Sequence, residues 1–236
     1  GSASDFATMK NNVEAGANAG MVGVTPDYEN MNFGLIRILI ATIGGYIHPS
    51  TNFGLEFMND LFWDTLTTAA YEDYMQTYVF NPVAAFPVFD TNTETVLAYR
   101  WDSGTAGWDS GDFSCCGGGY GWHMTITETL NVVRAFRTGN IVSLGGESDI
   151  LNRSWGLNSP LNGESTLAGP IYYKTGRWTT NSNRALGLTE QGVVLLLPDD
   201  IEIVIFVNSE ISDGVGGFFS LQTLARTVYI NNIVSP

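Results

Sequence analysis

Lysine is almost missing from this chain. Of 236 residues only Lys10 and Lys174 are lysines, and with the arginines they make 10 cations against 24 acids, a formal net charge of −14. No basic stripe is available to neutralise phosphates, which argues against nucleic acid as a partner and against anionic membrane surfaces. Cysteine is as scarce: Cys115 and Cys116 are the only two. Adjacent residues cannot staple distant segments, so no disulfide framework exists, and a reduced, partly buried pair is expected rather than a vicinal disulfide. With His123 they lack the two-to-four-residue gap of zinc ligand pairs and a fourth ligand, so neither metal nor cofactor is expected. Long apolar runs are missing too. The longest, "FGLIRILIATIGGYI", contains Arg37 and falls short of the roughly 20 residues a spanning helix needs. No signal peptide is read, and the opening "GSAS" reads as a processed end.

What is present is a folding composition: 44% hydrophobic and only 14% charged residues, enough for one sizeable core. A single domain over 1–236 is expected, helical with a Gly-rich loop over 1–145 and sheet-forming with a closing helix over 146–236. Ser4 or Asp5 caps a helix with Phe6, Met9 and Val13 on one face, stopped by Gly16. Phe33, Ile36, Ile40 and Ile43 recur at helical spacing up to Gly44-Gly45. Residues 54–80 read as two helices ending before Pro82, 95–101 as a short strand and 102–121 as loop. Thr125 and Glu128 form a capping box for a helix through Leu130, Val133 and Phe136. After a loop-rich stretch, Pro170–Trp178, Ala185–Thr189, Val193–Leu197 and Glu202–Asn208 read as strands, the last two joined by a tight turn at Pro198-Asp199-Asp200. A three-stranded antiparallel meander and an amphipathic helix with Phe218, Leu221, Leu224 and Val228 close an α+β protein.

Two short motifs carry chemistry. Tyr28-Glu29-Asn30 precedes the apolar helix, and Lys174-Thr175-Gly176 sits on a strand leading into a hairpin and the last helix. Each has a plainer reading, a helix-start turn with Asn30 near the cap and an ordinary strand end. Their order and setting resemble the serine β-lactamase and penicillin-binding-protein superfamily, in particular its class C β-lactamase and esterase-like branch, which pairs Ser-x-x-Lys with Tyr-x-Asn and a late Lys-Thr-Gly strand. "YENMNFGL", "YMQTYVFNPV" and "GGGYGWHMTITETLNVVRAFRTG" add to the resemblance, which runs from about Asp27 to the C-terminus.

The resemblance implies a partial β-lactamase/transpeptidase-like fold and acyl transfer on an amide or ester. Tyr28 would be the base, its phenol made more acidic by a neighbouring ammonium group. Lys174 would supply that charge or hold a substrate carboxylate. Asn30 would bond the acyl side chain, and Thr175 and Gly176 would line the substrate. The backbone N–H of Arg177 would be half of an oxyanion hole, with its side chain a departure that could crowd the cleft. His123 is a further candidate for the cleft, beside its plainer reading as a loop histidine bonded to backbone.

The nucleophile is missing: the chain contains no Ser-x-x-Lys and no Gly-x-Ser-x-Gly. Only 27 residues precede Tyr28, fewer than the family's first strands and nucleophile helix require. The expectation is therefore a truncated or split serine hydrolase, inactive alone. The competing readings are a non-catalytic binder of a carboxylate-bearing or glycan ligand, and an assembly module. The twofold "WDSG" at 101–104 and 108–111 reads as two tryptophan-anchored turns, or as a sugar-stacking platform. A meander without its N-terminal strands would expose an edge beside Val204 and Phe206, so a homo-oligomer or a covering segment is expected there.

Overall fold

In a computed structural model, residues 5–16, 30–89, 96–100, 106–111, 113–179, 188–211 and 220–234 are described. They form a mixed α+β protein with six α-helices and a four-stranded antiparallel sheet. Two compact units share the chain: Gly1–Asn81, Phe86–Thr93 and Gly111–His123 in one, Pro82–Ala85, Glu94–Ser110 and Met124–Pro236 in the other. No helix among the described residues is long and apolar enough to cross a membrane.

The first unit is built on α1 (Phe6–Glu14), α2 (Asn30–Ile43) and α3 (Glu56–Met75). Asp5 caps α1 by accepting from the Thr8 N–H at 2.7 Å, and Gly16 takes the positive φ of +84° that follows the helix. Met9 is fully buried, but Val13 of the expected apolar face is exposed. The face of α2 is also not the expected one. Gly34, Arg37 and Ala41 are buried, whereas Ile36 is exposed and Ile43 is 82% exposed. The cause is polar. Arg37, wholly buried, donates to Asp64 (2.6 Å) and Thr68 (3.1 Å) of α3, and Asp64 also accepts the N–H of Phe6 at 2.7 Å. One carboxylate thus ties three helices and turns the small residues of α2 inward.

Residues 54–80 are not two helices. α3 continues unbroken into a π-helical turn (Gln76–Phe80) and a short 3-10 turn (Asn81–Val83), because no Gly or Pro interrupts the segment before Pro82. Val88–Phe89 (β1) and Trp122–His123 (β2) form a two-residue antiparallel ladder. Trp122 packs against Tyr71, Phe80 and Phe89, and its indole N–H donates to the Tyr71 hydroxyl at 2.9 Å.

In the second unit α4 (Ile126–Arg137) opens on the expected capping box, with Thr125 and Glu128 bonded reciprocally. α5 (Leu144–Arg153), capped by Ser143, occupies a stretch that reads as loop; Gly145-Gly146 in its first turn conceals it. The sheet runs β3 (Glu164–Thr166), β4 (Gly169–Trp178), β5 (Glu190–Leu197), β6 (Ile201–Val207), each antiparallel to the next. The β5–β6 turn is as expected, and Asp199 and Asp200 both adopt positive φ. Residues 185–187 lie outside the described residues, and Leu188 and Thr189 precede β5 without joining a strand. Within 96–100 the backbone makes a single bridge, Ala98 to Trp108, instead of a strand; the first "WDSG" copy lies outside the described residues.

One sheet face packs Ile171, Val193, Leu195 and Leu197 against Leu221, Ala225 and Tyr229 of α6 (Leu221–Tyr229). The expected α6 face is therefore shifted: Leu224 and Val228 are exposed, and Phe218 lies outside the described residues. The opposite face carries Tyr172 and Leu196, packed with Leu151 of α5 and with Val133 and Phe136 of α4.

Candidate functional site

β4 has the residues of a strand buried on both faces at its start and open at its end. Ile171 and Tyr172 are buried, Lys174 is half-buried, and Gly176 and Arg177 are exposed. β3 covers the outer edge of β4 only as far as Ile171, its short turn held by the Thr166 hydroxyl donating to Gly169 O at 2.7 Å. Beyond that point Asn158 takes over. Its N–H donates to Tyr173 O (2.9 Å), and its side-chain oxygen accepts from the Thr175 N–H (2.9 Å) and hydroxyl (3.1 Å). One residue so imitates a rung of a neighbouring strand.

These bonds fix the orientation of the Lys-Thr-Gly run. Tyr173 and Thr175 direct their backbone groups away from β5, and the two-residue alternation of a strand places the Arg177 N–H on that same outer edge. Side chains alternate too. Lys174 shares the face of Tyr172 and of its cross-strand neighbour Val194, while Thr175 and Arg177 share the α6 face. A Cβ built on Gly176 would meet nothing within 4 Å. The packing would thus tolerate a side chain there, and the space above the strand beside Lys174 is open. The Arg177 guanidinium is drawn into an ion pair with Glu210, a carboxylate only 2% exposed. Glu210 also accepts from the Thr189 hydroxyl at 3.1 Å and from Gln191 at 3.3 Å. A charge so buried is held by pairing and hydrogen bonds together, and this pairing directs the arginine side chain to Glu210 on the α6 face.

Further along the same sheet Glu190 lies opposite Trp178. Burial pushes its carboxyl above the ordinary carboxylate range; a hydrogen bond from Ser110 opposes the shift and the nearby Asp109 charge adds to it. At the β5–β6 hairpin end a polar recess of about 280 Å³ is lined by Arg134, Arg137, Thr138, Asp200 and Glu202. Arg137 is already paired there with Asp200 at 3.1 Å and with Glu147 at 3.7 Å, which makes the recess a bracing network rather than a receptor for anions.

Of the residues singled out from sequence, Lys174, Thr175, Gly176 and Arg177 fall together on β4. Asn30, the first residue of α2, and His123, in β2, belong to the first unit; His123 is thus in a strand pair rather than a loop. Tyr28 lies outside the described residues. His48 is exposed and its ring bonds Ser50 at 2.7 Å. Lys10, the other lysine, is committed to Asp60 (2.8 Å) and Glu56 (3.1 Å). Cys116 is a buried thiol outside any disulfide, and no metal-holding cluster of His, Cys, Asp and Glu occurs among the described residues. Asn158 and Glu210, which shape the edge and steer Arg177, carry no local sequence signal: their partners lie 17 and 33 positions away. Comparison of the chain with family models, with curated proteins and with solved structures finds no match.

Proposed function

We propose that the outer edge of β4 at Lys174–Arg177 is the acyl-binding edge of a β-lactamase-like serine hydrolase scaffold. It holds a carboxylate-bearing amide or ester but supplies no nucleophile of its own. The observation that carries this reading is the coincidence on one strand end of a lysine, an outward-facing backbone N–H at Arg177 and open space over Gly176. An ammonium group has three donors, so Lys174 can give a carboxylate a charge-assisted bond beside the contacts it already makes. A carbonyl laid along the edge meets the Arg177 N–H, and Gly176 leaves room for close approach. Pairing of Arg177 with Glu210 keeps that side chain engaged elsewhere. The roles of Tyr28 as base and Asn30 as acyl-side-chain partner rest on the resemblance alone, and the reading proposed here stands on β4. With no Ser-x-x-Lys in these residues, acyl transfer requires a serine from another segment.

Binding without turnover is the second reading, and Asn158 favours it. It already occupies the Thr175 N–H and hydroxyl, leaving less of the edge for a substrate in transit. Incubation with a chromogenic β-lactam, a short acyl ester and a serine-directed phosphonate tests the proposal. No hydrolysis and no label are expected from these 236 residues alone. Turnover abolished by a single Ser→Ala change would overturn it.

A further inference from the structure

We propose that two copies of this chain pair through their β6 strands, antiparallel about a twofold axis at Val204, to make one continuous eight-stranded sheet. β6 is the last strand of the sheet and pairs only with β5 among the described residues. None of its seven residues is buried, whereas Val193, Leu195, Leu196 and Leu197 of β5 are. The strand reads IEIVIFV: it has no Lys, Arg or Pro, the residues that commonly blunt an exposed edge. Such an edge is a template for another strand.

The hydrogen-bond phase of the sheet identifies which groups face outward. Tyr173 and Thr175 point away from β5, so Lys174 and Gly176 point toward it, opposite Val194 and Gly192. Val193 and Leu195 then point toward β6, opposite Ile205 and Ile203. By the same alternation Glu202, Val204 and Phe206 aim their N–H and C=O groups off the sheet. The next residue in that phase, Asn208, shows the edge taking a backbone partner, since its carbonyl accepts the Tyr99 N–H at 2.7 Å. The chain's own described cover begins there and leaves 202, 204 and 206 to a partner.

A second copy fits this edge by charge and by phase. Centring the pair on Val204 sets Val204 against Val204 and Glu202 against Phe206, twice. All three outward residues meet outward residues, and the two Glu202 carboxylates stand at opposite ends instead of face to face. For a chain of net charge −14, a register that keeps the Glu202 carboxylates apart opposes self-association least, and Arg134 and Arg137, which share a recess with Glu202, offset its charge further. Opposed like charges on neighbouring strands destabilise pairing and opposite charges support it.

Sedimentation velocity on the whole chain over a wide dilution series, with amide hydrogen exchange on the same samples, tests this. A monomer–dimer equilibrium is expected, with slowed exchange at Glu202, Val204 and Phe206 in the dimer. Phe206 is 42% exposed, so its replacement spares the core. Phe206→Glu, which faces the partner copy's carboxylate at 202, is expected to weaken the dimer about tenfold, and Phe206→Arg to hold or tighten it. A monomer at every concentration, or association that both changes weaken alike or leave untouched, overturns the proposal. Exchange on the unaltered chain decides the matter should a variant fail to fold: a dimer whose β6 amides exchange as in the monomer also overturns it.

Discussion

Arg37 is wholly buried in α2 and reaches Asp64 across the helix interface, so removing the carboxylate takes the countercharge from a buried guanidinium. Asp64→Ala is expected to cost about 3–5 kcal/mol, read by urea denaturation. Arg37→Met, which removes the charge with its partner's need for it, is expected to cost distinctly less. Glu190 makes a pH statement of opposite sense to the usual carboxylate. Its carboxyl is raised in the folded chain by burial, so the folded state holds its proton more tightly than the unfolded one. Its contribution is fully favourable below the unfolded value, about pH 4.3, and is lost as pH rises through the higher folded value. Glu190→Gln is therefore expected to raise the melting temperature at neutral pH and to change little in acid. The site is partly open to solvent, so the gain is about 1 kcal/mol or less. Thermal melts of both proteins at several pH values check it.

At the scale of elements, what local chemistry writes into the sequence was legible. Thr125 and Glu128 announce α4 because a capping box needs only three residues of chain. Pro198-Asp199-Asp200 announces the β5–β6 hairpin through its turn chemistry. Thr125→Ala is expected to cost about 1 kcal/mol, as measured by denaturant titration. Faces were less legible than elements. Apolar spacing in α2 pointed to Ile36 and Ile43, but the Arg37–Asp64 pair, 27 positions apart, rotates the helix. Ile43→Ser should then lie within about 0.5 kcal/mol of neutral, whereas a core isoleucine would cost several times more. α5 is hidden in the sequence because Gly145-Gly146 fill its first turn, and α6 buries Leu221, Ala225 and Tyr229, one step round from the apolar spacing of Phe218, Leu221, Leu224 and Val228.

Across the whole molecule, the Lys-Thr-Gly strand was visible in sequence because lysine is so rare here that its placement in an apolar strand stood out. What surrounds it was not visible. Asn158 reaches β4 from the loop after α5, and Glu210 reaches it from beyond β6; such long-range partners leave no periodic trace. Lys174 is proposed to hold a ligand carboxylate at a strand edge that has no nucleophile. The measurement that bears on it most directly is calorimetric titration of benzylpenicillin into the chain and its Lys174→Ala variant, with intact mass read on the same samples. Saturable binding without mass gain is expected, weakened about tenfold to a hundredfold by Lys174→Ala, the worth of one hydrogen bond to a charged group. Equal binding by both proteins, or a mass increase equal to the bound acyl group, would contradict it.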